Sequence, residues 1–428
     1  MASSKTSAPK KDDPTAMSQP PQPNTSIDTR VAEAGRGLDL PIRTANPPVV
    51  RASTVLFDTL AQAAEAGRGT ATGERHASTY GTVGTQTTFA LMDALAEIEG
   101  QGHDCRAALM PSGLAAISTA LLAFLSPGDH VLMTDSVYGP ARVFAQGMLA
   151  KLGVRTTFFD PGIDAEGLAQ LVRPETKVLY LESPGSYTFE LQDVPALTAM
   201  ARARGIVSMI DNAWASPMFA RPFDWGVDIS ILPLTKYWAG HADLLMGAVV
   251  ARVEAWPRLW DTVRQLGMCV GGDDAWLVLR GLRTVGVRMR AHQENGLAVA
   301  HWLERQPGVA RVLHPALPSH PGHELWRRDF SGASGLFSFE LDGAPFAGPD
   351  GAARRQGALA ALCEGRRLFG IGYSWGGYES LIMPAVIDHL RTARPWRGGP
   401  LVRLHCGLAD ADDLIADLAE GFAAMAQS

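Results

Sequence analysis

Arg106-Ala107-Ala108-Leu109-Met110-Pro111-Ser112-Gly113-Leu114-Ala115-Ala116 runs from an apolar strand through a small-residue turn into an apolar helix. The strand covers Arg106–Met110 and the helix Leu114–Leu125. Pro127-Gly128-Asp129 then turns the chain into a second apolar strand, His130–Thr134. The same alternation continues: helix at Gly139–Leu152, strand at Arg155–Phe159, helix at Glu166–Val172, strand at Lys177–Leu181. Val194–Arg204 reads as a helix, and Ile206–Asp211 and Val227–Leu232 as strands. A βαβα rhythm with nearly all-apolar strands predicts a mainly parallel sheet buried on both faces under helices, an α/β fold.

Beyond residue 282 the rhythm loosens. A long helix is expected over Val287–Gln306, then strands at Ala310–His314 and Gly335–Leu341, a helix at Ala352–Glu364, a strand at Leu401–His405 and a closing amphipathic helix at Asp412–Met425. This predicts a smaller α+β C-terminal domain over 283–428. The large domain is expected over 85–282 and an N-terminal arm over 31–84. Residues 1–30, rich in Ser, Pro, Thr and Lys and without an apolar run, read as a disordered tail.

The 428 residues are 46% hydrophobic and 19% charged, enough for a sizeable core. A net charge of −6 argues against nucleic-acid or anionic-membrane partners. The four cysteines are scattered without a CxxC spacing, which fits a reducing, cytoplasmic setting better than a disulfide framework or thiolate metal site. No apolar run is long enough for a transmembrane helix.

Three stretches carry chemistry. Lys236, in Thr235-Lys236-Tyr237, follows the strand Val227–Leu232, and ligands of open α/β sheets gather at the carboxyl ends of strands. Taken alone, such a lysine is usually a surface residue. Imine chemistry needs the free amine, which desolvation or nearby positive charge supplies. Asp211 ends another strand and suits either a protonated pyridine nitrogen or a helix cap. Met110–Ala116 offers helix-start amides to a phosphate, or is an ordinary strand-to-helix loop; it has no GKS or GKT and is not a Walker loop.

In order along the chain stand Tyr80-Gly81, Met110–Ala116, Asp135-Ser136-Val137-Tyr138, Leu181-Glu182-Ser183-Pro184-Gly185-Ser186, Asp211-Asn212 and Thr235-Lys236-Tyr237. Tyr373-Ser374-Trp375-Gly376-Gly377-Tyr378-Glu379-Ser380 and Leu401-Val402-Arg403-Leu404-His405 complete the set. Over roughly residues 40–428 the chain resembles the PLP-dependent Cys/Met-metabolism (trans-sulfuration) family. Gly185-Ser186 and Trp375 resemble its bacterial cystathionine β-lyase branch.

The resemblance implies the type I, aspartate-aminotransferase-like fold with a seven-stranded sheet. It also implies pyridoxal 5′-phosphate (PLP) as cofactor and a homotetramer built as a dimer of dimers. The implied activity is β-elimination of L-cystathionine, an amino-acid thioether, to homocysteine, pyruvate and ammonia within methionine biosynthesis. Lys236 is implied as the Schiff-base lysine and proton shuttle, Asp211 as partner of the pyridine nitrogen and Tyr138 as the residue stacking on the ring. Gly113, Leu114 and Thr235 are implied to hold the phosphate. Tyr80 is implied to reach the site from a neighbouring subunit, Arg403 to grip the substrate carboxylate, and Ser374 and Trp375 to line the substrate side.

Two positions depart from the family pattern. Thr82 stands where an arginine usually meets the phosphate, and Pro233 where a serine usually precedes Thr-Lys. Arg75 and His76 are candidates to replace the lost contact. The alternatives are a γ-lyase or γ-replacement synthase on activated homoserine, a broader cysteine-S-conjugate β-lyase, or a non-catalytic relative. His314, His320 and His323 lie among prolines and read as a loop rather than a metal site. No metal is expected. Gly370-Ile371-Gly372 lacks the third glycine of a dinucleotide fingerprint.

Overall fold

A computed structural model describes residues 25–37, 44–387 and 390–427. Most of the expected tail, residues 1–24, lies outside the described residues. Its last part does not fit the expectation. Ile27–Glu33 is a helix capped by the Ser26 hydroxyl, with Val31 buried and Asp28 paired to Arg290 at 2.8 Å.

Seven strands form the larger sheet: β1 (Cys105–Met110), β2 (His130–Thr134), β3 (Arg155–Phe159), β4 (Thr176–Glu182), β5 (Val207–Asp211), β6 (Ile229–Leu232) and β7 (Gly247–Arg252). Their order is β1-β7-β6-β5-β4-β2-β3. All pairings are parallel except those of β7, which runs antiparallel to both β1 and β6. The sheet is therefore mainly parallel, as expected, with one reversed strand inserted. Its strands are apolar because both faces are covered: Leu132, Leu179 and Ile210 are fully buried on one face, Val131, Val178 and Met209 on the other. Each such side chain contributes about 1.5–3 kcal/mol of burial free energy.

The opening stretch forms the expected unit. Helix Gly113–Phe124 begins where the Ser112 hydroxyl accepts the Ala115 amide at 3.1 Å, and its apolar length packs on the sheet. The helix expected over Gly139–Leu152 is α-helical only over Gly139–Phe144 and then widens into a π-turn at Ala145–Leu149.

A second, five-stranded sheet holds β8 (Val309–Leu313), β9 (Leu336–Leu341), β10 (Phe369–Ile371), β11 (Ser380–Ala385) and β12 (Leu401–His405), ordered β10-β11-β12-β9-β8. Helices Gly351–Cys363 and Ala411–Ala426 pack against it, with Leu362, Leu414 and Leu418 fully buried. In the Pro-rich histidine loop His314 and His320 each accept an amide two residues on, and His323 bonds the Pro315 carbonyl, while His314 Nε2 is buried without a partner among the described residues.

A buried ionic knot joins the two sheets. Asp135, one residue past β2, accepts the amides of Thr392, Ala393 and Arg394 at 2.9–3.0 Å. Arg142 lies 2.5 Å and Arg391 3.5 Å from its carboxylate, and Arg391 continues to Glu190 at 2.8 Å. Burial opposes ionisation of Asp135, but the amides of Arg394 and Thr392 and the Arg142 guanidinium outweigh it and hold the carboxyl below its usual range.

Candidate active site

Because β1, β2, β4, β5 and β6 run the same way, their carboxyl ends share one edge of the sheet. Gly113, Tyr138, Glu182, Asp211 and Lys236 all follow or end those strands. The reversed strand β7 starts at the same edge, with Gly247 opposite Met110. A Cβ on Gly247 would lie 2.3 Å from the Ser112 carbonyl oxygen, so only glycine lets the β1 turn fold over it. Pro233 packs on Gly113, whose added Cβ would meet the proline ring at 3.0 Å. The lysine loop and the helix start are thus in contact.

Lys236 is half-buried, and its Nζ donates to the Ser374 hydroxyl at 2.7 Å. Trp375 faces the same amine, with its ring centre 5.1 Å from Nζ. Burial first, and then the Arg403 charge, bring the amine down to about 8 against the opposing pull of Asp211 and Glu379. About a tenth of it is therefore free amine at pH 7 and about half at pH 8, far more than for an ordinary lysine, which is what imine chemistry needs.

Asp211 is 7% exposed, and its Oδ1 has no hydrogen-bond partner. Glu182 stands opposite it on the neighbouring strand. Burial pushes the Asp211 carboxyl up, only partly offset by the Ala213 amide and the Lys236 charge. Burial and then the Asp211 charge push Glu182 up as well. A buried, unsatisfied carboxylate oxygen is costly. It is also the acceptor that a protonated pyridine nitrogen requires.

The amides of Ala115 and Ala116 are taken by the Ser112 hydroxyl and carbonyl. Those of Gly113 and Leu114 stand at the open end of the helix, the arrangement that suits a phosphate. Thr235 is adjacent, but its hydroxyl already donates to the Met246 carbonyl at 3.2 Å and accepts the Met246 amide at 3.0 Å. Arg75 and His76 are both engaged by Asp93, at 2.8 and 2.6 Å. The sequence offered them as stand-ins for the arginine missing at Thr82; in this chain Asp93 is their partner.

Tyr138 is 42% exposed, and its amide donates to Glu182 Oε2 at 2.7 Å. Burial, followed by the Asp211 charge, raises its phenol, so the ring stays neutral. Arg403 is 9% exposed; its Nη2 reaches the carbonyls of Gly372, Tyr373 and Ser374 at 3.0–3.4 Å. The guanidinium also lies 5.7 Å from the Tyr187 ring centre. Lys236, Asp211, Tyr138, Arg403, Ser374, Trp375 and the Gly113–Leu114 amides are thus brought to one place. Tyr80 is not. It is 49% exposed and lines a cavity of about 350 Å³ with Thr82, Trp260 and Arg264, whose lining does not include Lys236, Asp211 or Arg403. Glu182 and His405 also reach this site, although in the sequence they stand out only as members of longer motifs. Their signal, a polar residue closing a mostly apolar strand, gains meaning only once the strand end is known to be buried.

These features agree with what the chain resembles. Residues 28–423 match the Cys/Met metabolism PLP-dependent enzyme family. The chain is 44% identical over 403 residues to "Cystathionine beta-lyase MetC" of Escherichia coli (strain K12), covering 93% of this chain and 98% of that one. It is 40% identical over 400 residues to "L-alanine/L-glutamate racemase" of Wolbachia pipientis wMel, covering 91% and 94%. Among solved structures, metB from Corynebacterium glutamicum superposes with a TM-score of 0.82 at 27% identity, covering 94% of this chain and 99% of that one. The fold is that of the type I PLP-dependent enzymes. The chain belongs to the Cys/Met metabolism PLP-dependent enzyme family, and pyridoxal phosphate is its cofactor.

Proposed function

We propose that the protein is a carbon–sulfur lyase that splits L-cystathionine, with water, into homocysteine, pyruvate and ammonia. The observation that carries this reading is the pairing of a lysine whose amine gives up its proton more readily than usual with an unsatisfied buried carboxylate at one sheet edge. The 44% identity to a cystathionine β-lyase over nearly the whole chain directs the choice of bond.

Bound PLP supplies an electron sink that spreads the negative charge formed at Cα. The residues do the rest. Asp211 Oδ1 holds the proton of the pyridine nitrogen. The Gly113 and Leu114 amides and, after leaving Met246, the Thr235 hydroxyl hold the phosphate. Tyr138 would offer a neutral aromatic face to the ring. Arg403 grips the substrate carboxylate with the guanidinium nitrogens that Gly372–Ser374 leave open. Lys236 would be the residue that holds the cofactor's aldehyde carbon, and its Nζ, when free, is the base placed to take the Cα proton of the substrate. That proton then sits on Nζ, available to the departing sulfur as Cβ–S breaks. Ser374 and Trp375 fix Nζ and bound the substrate side.

Tyr80 is half exposed and lines a cavity without Lys236, Asp211 or Arg403, which supports its insertion into a neighbouring subunit of a homotetramer. The division into an arm (31–84), a large domain (85–282) and a small domain (283–428) and a cytoplasmic location belong to the same reading. No described helix is long and apolar enough to cross a membrane.

Incubating PLP-loaded protein with L-cystathionine and analysing the keto acid tests the proposal. Pyruvate is expected; 2-oxobutyrate would assign γ-elimination instead. The racemase relative favours one further reading, in which Lys236 returns the Cα proton without bond cleavage. Chiral analysis after incubation with L-alanine and L-glutamate separates the two.

A further inference from the structure

His405 lies two residues beyond Arg403 on β12, so both side chains leave the same face of that strand. Arg403 takes carbonyls of the loop 372–374, as described. His405 Nε2 lies 3.0 Å from the Gly376 amide and 3.2 Å from the Gly377 carbonyl oxygen. A single ring nitrogen cannot both accept the first and donate to the second. The Gly376 N–H is buried and closer, at 3.0 Å, so Nε2 is taken as the lone-pair nitrogen and the proton placed on Nδ1, which is buried without a partner among the described residues.

This loop lies directly on the lysine. Gly376 has φ +88°, and a Cβ there would approach the Tyr237 amide at 2.9 Å and the Lys236 Cα at 3.0 Å. Ser374 and Trp375, the two groups beside Nζ, immediately precede it. Trp375 also packs on Tyr237 at 5.4 Å between ring centres.

We propose that His405 is a positioning residue for Lys236: by accepting the Gly376 amide it pins the 374–376 loop, and through it places Ser374 Oγ and the Trp375 ring on the lysine amine. The imidazole is suited to this because burial, and then the neighbouring His292, keep it neutral, so the acceptor lone pair is always available. Around Lys236 the charged groups are Arg403, Asp211 and Glu379, and none of them holds the Gly376 amide.

The inference rests on Lys236 being the reacting amine. Acetylation of Lys236 by acetic anhydride in cofactor-free protein, followed across pH by peptide mass spectrometry, reads its protonation directly. The wild-type midpoint is expected near 8. H405Q, whose amide oxygen reaches the position of Nε2, should keep that midpoint. H405N and H405L should raise it by about one unit as the loop lifts and water reaches the amine, and in the loaded enzyme kcat should fall more than KM rises. An unchanged midpoint in H405N, or a shift in H405Q as large as in H405N, overturns the proposal. Should H405L fail to fold, the two amide variants still decide. A wild-type midpoint near the ordinary lysine value of 10.5 would instead sink the reading of Lys236 itself, and the inference with it.

Discussion

At the scale of single residues, the site depends on two groups kept out of their ordinary protonation. Lys236 is held near 8, so only its neutral fraction attacks the cofactor aldehyde, and that fraction grows as pH rises through 8. The rate of PLP uptake by cofactor-free protein should accordingly climb between pH 7 and 9 and level off above; stopped-flow absorbance measures it. K236A removes the proton acceptor at Cα and should lower pyruvate release by about 10²–10⁴-fold. R403K keeps the charge but loses the planar fork. It should lower kcat/KM by about one to two orders of magnitude, mainly through KM, as loss of a charge-assisted contact worth about 1.5–3 kcal/mol predicts. Steady-state kinetics on L-cystathionine read both. Lys236, Asp211, Tyr138 and Arg403 were all legible because each sits in a recognisable motif. The engagement of Thr235 with Met246, and of Arg75 and His76 with Asp93, was not. Those competing partners are set by distance in space, over which the sequence has no hold.

Among elements, the parallel strands and their helices were readable from alternation and apolar runs, usually to within a residue or two. Strand β7 was not. Gly247–Arg252 is apolar like its neighbours, and an apolar run carries no sign of direction. Only the pairing with β1 and β6 reveals that it is reversed. The ionic knot is equally hidden, since Asp135 and Arg391 are far apart in the chain. It ties the turn that carries Tyr138 to the loop after β11. Breaking a buried pair by neutralising one partner costs about 3–5 kcal/mol, because the charges left behind remain desolvated. D135N should therefore lower the urea midpoint strongly, where D412N, which loses only an exposed helix-start charge, should lower it far less. Equilibrium unfolding followed by tryptophan fluorescence checks this.

For the whole molecule, fold class and family were evident from the ordered set of motifs, and the structure adds how they meet at one sheet edge. The two central groups pull against stability when no cofactor is bound: a desolvated amine and an unsatisfied carboxylate share a buried space. A ligand at one hundred times its dissociation constant stabilises the folded state by about 2.7 kcal/mol. PLP should thus raise the melting temperature in scanning fluorimetry. D211A should lose an order of magnitude or more in cofactor affinity, and with it most of that rise at limiting PLP.

The orphaned oxygen of Asp211 then has a meaning for the life of the protein in a cell. A newly made chain short of the cofactor, a form of vitamin B6, lacks that stabilisation, so it should unfold more often and be more open to proteases than a loaded one. One that finds it becomes durable. The same atom that steers electrons during turnover would make enzyme abundance follow the supply of its vitamin, with no separate regulator.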